Sequence, residues 1–132
     1  MGAWGTGAFD NDDAADWVYQ LDSDGIDAVD SALGDAFDAD DLSQPLDTNA
    51  IAAAEVVAAA LGRPAADLPE SVAILVTGLG SRVTPELIDQ ARTVTARVLA
   101  SSEIGELWDE SDDGPTWRAA VEDLIHRLDE GR

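Results

Sequence analysis

Four carboxylates, Asp10, Asp12, Asp13 and Asp16, fall within seven residues near the N-terminus, and Asp12 and Asp16 are one helical turn apart. Two carboxylates on one helix face can hold a divalent cation, or divide acid and base roles, once a third group joins them from elsewhere in the fold. Glu55 is the candidate for that third group. It is the single ionisable residue in the run from Ile51 to Leu61, where burial would force its charge to be paired, hydrogen-bonded or neutralised. The simpler reading needs no metal: acids in the first turn of a helix complement its positive end, and this accounts for Asp10, Asp12 and Asp13. For Glu55 the simpler reading is an ion pair with Arg92 or Arg97.

Other patterns are incomplete. Asp22 to Asp27 and Asp109 to Gly114 each resemble part of a calcium loop, but Ala120 occupies the distal glutamate position of the second, and the glycine of the first is misplaced. Val72 to Val76 followed by Gly78 and Gly80 imitates a dinucleotide-binding turn, yet Val83 stands at the third glycine position, so a helix ended by glycines is expected. His126, the one histidine, has no recognisable nucleophile motif beside it, and there is no cysteine. No catalytic residue and no cofactor is assigned.

The elements that would position these groups are helical. Asp10 or Asn11 opens a helix bearing Ala14, Trp17, Val18 and Leu21, which Asp24 and Gly25 stop. A second helix places Ile26, Val29, Leu33 and Phe37 on an inward face. Asp47 or Thr48 caps the alanine-rich segment ending at Leu61, which is apolar nearly all round and is therefore expected at the centre. Pro69 starts a fourth helix, Thr84 to Glu86 a fifth, and Pro115 a last one carrying Trp117, Val121, Leu124 and Leu128. Glu103 to Trp108 reads as a short helical turn. The pattern predicts one all-α domain over residues 1–132, an irregular or orthogonal bundle of about six helices behind a Gly-rich, Trp-bearing N-terminal segment. Trp4, Phe9, Trp17, Trp108 and Trp117 are its expected aromatic packing.

Charge restricts the partners. The chain has 28 Asp and Glu against 7 Arg, a formal net charge of −21. Residues 1–62 hold thirteen Asp and Glu55 without a basic residue, whereas all seven Arg follow among fourteen acids. Such a field repels nucleic acid and anionic membranes and attracts basic proteins or cations, although a solubilising surface suited to high salt would carry the same composition. The longest apolar run falls short of the ~20 residues of a spanning helix, and no signal-like N-terminus is evident. Gly2 and Thr6 match a myristoylation pattern, but Trp4 and the lack of a polybasic patch argue against an anchor. Cytoplasmic residence is expected.

The opening Met-Gly-Ala-Trp-Gly-Thr-Gly-Ala-Phe-Asp-Asn-Asp-Asp-Ala-Ala-Asp-Trp resembles the start of a bacterial family catalogued as domain of unknown function 4259. Ala53 to Ala58, Gly62-Arg63-Pro64, Leu68-Pro69, Ser102-Glu103, Glu106 to Trp108, Trp117 and Asp123-Leu124 extend the likeness over nearly the whole chain. Trp4, Gly5, Phe9, Asp13, Trp17 and Glu55 match its characteristic pattern. The resemblance implies a compact bacterial domain and brings no activity, substrate or cofactor. Two functions are expected in turn: a small acidic interaction or inhibitor-type protein, immunity-like or regulatory, with a basic protein partner; or a cation-binding protein or metal-assisted enzyme using Asp10, Asp12, Asp13, Asp16 and Glu55.

Overall fold

The computed structural model describes residues 5–131. Its regular elements are α1 (Asp12–Asp24), α2 (Ile26–Asp38), α3 (Leu46–Ala60), α4 (Glu70–Val76), α5 (Pro85–Ala100), α6 (Glu103–Asp109) and α7 (Gly114–Glu130), with a 3-10 turn at Gly80–Arg82 and no strand among the described residues. Trp4 and Gly2 lie outside them. None of these helices is long and apolar enough to cross a membrane.

Local chemistry sets several of the boundaries. The Asn11 side chain accepts the Ala14 N–H at 2.8 Å, and Asp12 and Asp13 occupy the first turn of α1. Gly25, at a φ of 60° that side chains disfavour, ends α1 and passes directly into α2. Thr84 caps α5 by accepting the Leu87 N–H at 3.1 Å, with Pro85 in the first turn.

α3 has no polar stripe, and a helix of that kind must be enclosed. Ala50, Ala52, Ala53, Ala54, Val57 and Ala58 are all inaccessible to solvent, and α3 packs against each of the other six helices. Its small side chains let those neighbours approach closely. Trp17, Trp108 and Trp117 are buried around it, and Phe9 is half-buried against the same core.

Three local expectations need correction. Asp47 and Thr48 do not cap α3: the helix begins at Leu46, the Thr48 hydroxyl donates to the Pro45 carbonyl at 3.0 Å, and Asp47 is fully buried within the fold. Glu103 to Trp108 belongs to a seven-residue helix rather than a short turn, which brings the α-helices among the described residues to seven where about six are expected. It persists because its first-turn donors are satisfied: Glu103 N–H by the Leu42 carbonyl, Ile104 N–H by Asp47, Gly105 N–H by the Ser102 hydroxyl and Glu106 N–H by the Ser102 carbonyl. Phe37 is 48% exposed instead of buried. The buried arc of α2 runs through Ile26, Ala28, Val29, Ala32, Leu33 and Ala36, and at about 100° per residue Phe37 falls a quarter-turn beyond Ala36 at the centre of that arc.

Enclosure of α3 makes its alanines intolerant of added volume. Ala53→Leu is expected to cost about 1–3 kcal/mol by overpacking, while Ala119→Leu on the exposed side of α7 changes stability little. Urea unfolding of both variants checks this, and equal midpoints would show that α3 has room to relax.

Candidate functional site

The N-terminal strap is held by its own carboxylate. Asp10 turns back so that Oδ2 accepts the Gly7 N–H at 3.2 Å, and a Cβ on Gly5 or Gly7 would stand 2.6 or 2.7 Å from that same oxygen. Glycine at 5 and 7 is therefore what lets the carboxylate close the loop. At Gly7 the Asp67 carboxylate is also close, 2.8 Å from where a Cβ would be. Asp10 is thus a loop clasp rather than a helix cap, and Asn11 both caps α1 and donates to the Ala8 carbonyl at 3.3 Å. Beneath the strap, Phe9, Asp10 and Glu55 meet Asp67 and Leu68 around a void of about 10 Å³.

Glu55 projects from the enclosed α3 and is buried. Its partner is Arg127 of α7, not Arg92 or Arg97: the guanidinium donates Nη1 to Oε1 at 2.7 Å and Nη2 to Oε2 at 2.9 Å. Arg127 also donates Nε to Asp123 at 2.7 Å and Nη1 to the Arg63 carbonyl at 3.2 Å. Burial pushes the Glu55 carboxyl above its ordinary range against the pull of Arg127. Burial works against the Arg127 charge too, but the bonds and charges of Glu55 and Asp123 outweigh it and hold the guanidinium above its usual value. Both carboxylate oxygens of Glu55 are engaged by the fork, an arrangement suited to fixing α7 against α3.

Asp47 is a second buried carboxylate, invisible as such in the sequence. Oδ1 accepts the Thr48 N–H at 2.7 Å and Oδ2 the Ile104 N–H at 2.8 Å, so it joins the first turn of α3 to the first turn of α6. Desolvation raises its pKa from 3.8 to about 6, with the nearby Glu103 charge adding to the rise and the two backbone donors opposing it.

The remaining acids lie outward. Asp12 and Asp16 are exposed on α1 and Asp13 is half-buried, so the structure brings Asp10 to Glu55 but does not gather Asp12, Asp13 and Asp16 with them. Among the described residues no three His, Asp or Glu side chains lie close enough to hold a metal ion together. Asp22 and Asp24 belong to α1, and Asp109 is bound by Arg118 through Nε and Nη2 at 2.9 and 2.7 Å. α1 and α2 together carry nine aspartates and no basic residue. Arginines link the rest: Arg63 pairs with Glu130, Arg92 with Asp129, Arg118 with Asp109 and Arg127 with Glu55. Arg97 reaches from α5 to the end of α2, donating to the carbonyls of Ala36, Phe37 and Ala39 at 2.9, 3.3 and 2.9 Å.

Fold and site define a small all-α domain built around a buried carboxylate–guanidinium pair, sealed by a glycine strap and presenting an acidic face. The chain belongs to the DUF4259 family, a domain of unknown function whose family model matches residues 2–120. No curated protein and no solved structure matches it.

The two buried carboxylates give separate expectations. Arg127→Met leaves Glu55 buried without its partner and should cost about 3–5 kcal/mol, more than Glu55→Gln, because Arg127 then keeps Asp123. Urea unfolding of the two variants and of the double Glu55→Met, Arg127→Met should give that order, with the double less damaging than Arg127→Met alone; the opposite order would remove the desolvation argument. For Asp47 the folded-state pKa lies above the unfolded one, so its contribution to stability is fully present below about pH 3.8 and is lost as pH rises through about 6. The stability of the wild type minus that of Asp47→Asn should therefore fall by about 2 kcal/mol between pH 4 and pH 7, and a flat difference would show that folding does not raise the Asp47 pKa.

Proposed function

We propose that this is a small interaction protein of the inhibitor or regulatory type that engages a basic protein partner through the acidic face of α1 and α2. The observation that carries the reading is the segregation of charge. Asp12, Asp16, Asp22, Asp24, Asp27, Asp30, Asp35 and Asp38 are exposed on two adjacent helices that contain no cation, while the C-terminal half mixes both signs and cross-links them. A one-sign surface raises the encounter rate with an oppositely charged partner and rejects like-charged ones. It also destabilises the folded chain by self-repulsion, so an arrangement of this kind works against stability.

Binding of a fluorescein-labelled Lys-rich 14-residue peptide, followed by anisotropy at 50 mM KCl, tests the proposal. Saturable binding should weaken at least tenfold when Asp16, Asp27 and Asp30 are changed together to Asn, and less than twofold when Glu110, Asp112 and Asp113 are neutralised instead. Equal losses would make the charge a general property of the surface. Saturable thermal stabilisation by calcium, magnesium or manganese at fixed ionic strength, lost in Asp12→Asn, would replace the proposal with a cation site.

A further inference from the structure

We infer that the groove between α2 and α5, whose apolar lining is Phe37 and Leu87, is the docking site for an amphipathic helix of the partner whose apolar stripe is flanked by lysine or arginine. The inference rests on the acidic-face reading above and assigns that face a specific seat.

The groove has a volume of about 530 Å³, within the roughly 300–1,000 Å³ of ligand-binding clefts, and Asp30, Glu86 and Asp89 are among the residues that line it. On α5 its lining includes Glu86, Gln90 and Thr93, spaced four and three residues apart on one helix face, so it runs about 10 Å along that helix. That is the span of two helical turns, which suits a helix presenting residues at i, i+3 and i+4. Phe37 is the large apolar side chain of the seat. Arg97 holds the carbonyls of Ala36, Phe37 and Ala39, so the aromatic anchor is presented from a pinned helix end.

Charge selects the occupant. A second copy would bring −21 against −21, and a nucleic acid or anionic lipid surface would bring phosphates against Asp30 and Glu86. A segment with an apolar stripe and basic flanks satisfies both the apolar and the acidic lining. Tyr19 and Ile74 are more exposed than Phe37, at 75% and 66%, yet neither lines this groove, which makes them controls for simple apolar stickiness.

The test compares two labelled 14-residue peptides of identical Leu/Lys composition, one patterned as an amphipathic helix and one permuted to remove the stripe, by anisotropy at 50 mM KCl. Wild type should bind the patterned peptide at least tenfold more tightly than the permuted one. Phe37→Ser should abolish that preference and Tyr19→Ser should retain it. The pair Asp30→Asn, Glu86→Gln leaves the apolar lining intact and provides a second measure, weakening the patterned peptide severalfold and reducing its salt dependence. Equal binding of both peptides by wild type, or a preference that survives Phe37→Ser, overturns the groove while leaving the acidic-face reading standing. Failure of both peptides to bind removes that reading and the groove with it. A dimer in sedimentation that Phe37→Ser dissociates would assign the groove to a second copy and overturn the inference.

Discussion

A helix without a polar face has no stable position at a surface, and α3 is such a helix. Its alanines and valines must be covered on every side, which is why all six other helices touch it and why so short a chain divides into so many pieces rather than a few long helices. Covering α3 also brings its ionisable residues inside. Glu55 sits in the middle of the apolar run, and once the run is enclosed the carboxylate must be matched by a cation that arrives with one of the covering helices.

Asp47 and Glu55 meet that demand in different ways. Glu55 uses a guanidinium, whose planar fork fits both oxygens and fixes the angle and register of α7 against α3. Asp47 uses backbone N–H groups, one of them an orphan donor at the start of α6, so a single carboxylate serves as the cap of a distant helix. Buried carboxylates, paired or hydrogen-bonded, seldom add net stability over an apolar substitute of the same size, because desolvation offsets the attraction. Their effect here is geometric: each ties an element remote in sequence to the central helix, and each penalises any arrangement that leaves the carboxylate unmatched.

Much of the helical plan was readable from local pattern. The apolar composition of residues 50–61 placed α3 at the centre, and Asn11, Gly25 and Thr84 marked helix boundaries through their own side-chain and backbone chemistry. Pairing between helices was not readable in the same way. Arg92 follows Ile88 by four residues, Arg97 follows Val94 by three and Arg127 follows Leu124 by three, so all three arginines flank a buried stripe and any could have met Glu55. Only the packing of α7 beside α3 decides the matter, leaving Arg97 for the end of α2 and Arg92 for Asp129. Asp47 was misread for a related reason: a short acid near a helix start looks like a cap for that helix, and nothing local reveals that its second oxygen serves another. Phe37 shows the limit of a four-residue count, since a position one turn beyond Leu33 still drifts to the edge of the buried arc. Trp4, a family-pattern position, lies outside the described residues.

The aspartates on α1 and α2 include acids at the ends of both helices. Acids are equally numerous in the two halves, fourteen in residues 1–62 and fourteen after them, so it is the cations that are segregated, and a surface tuned only to stability would avoid acids at helix C-termini, where the dipole is negative. Here Asp22 and Asp24 end α1, Asp35 and Asp38 end α2, and neither helix has a basic residue in its last turn. At the end of α2, Arg97 supplies the missing positive charge from α5, and it does so by binding main-chain carbonyls rather than the aspartates. The helix terminus is thereby stabilised while the carboxylates stay directed to solvent. A cation has been placed where it secures the backbone without neutralising the face, and Phe37 stands at that secured end.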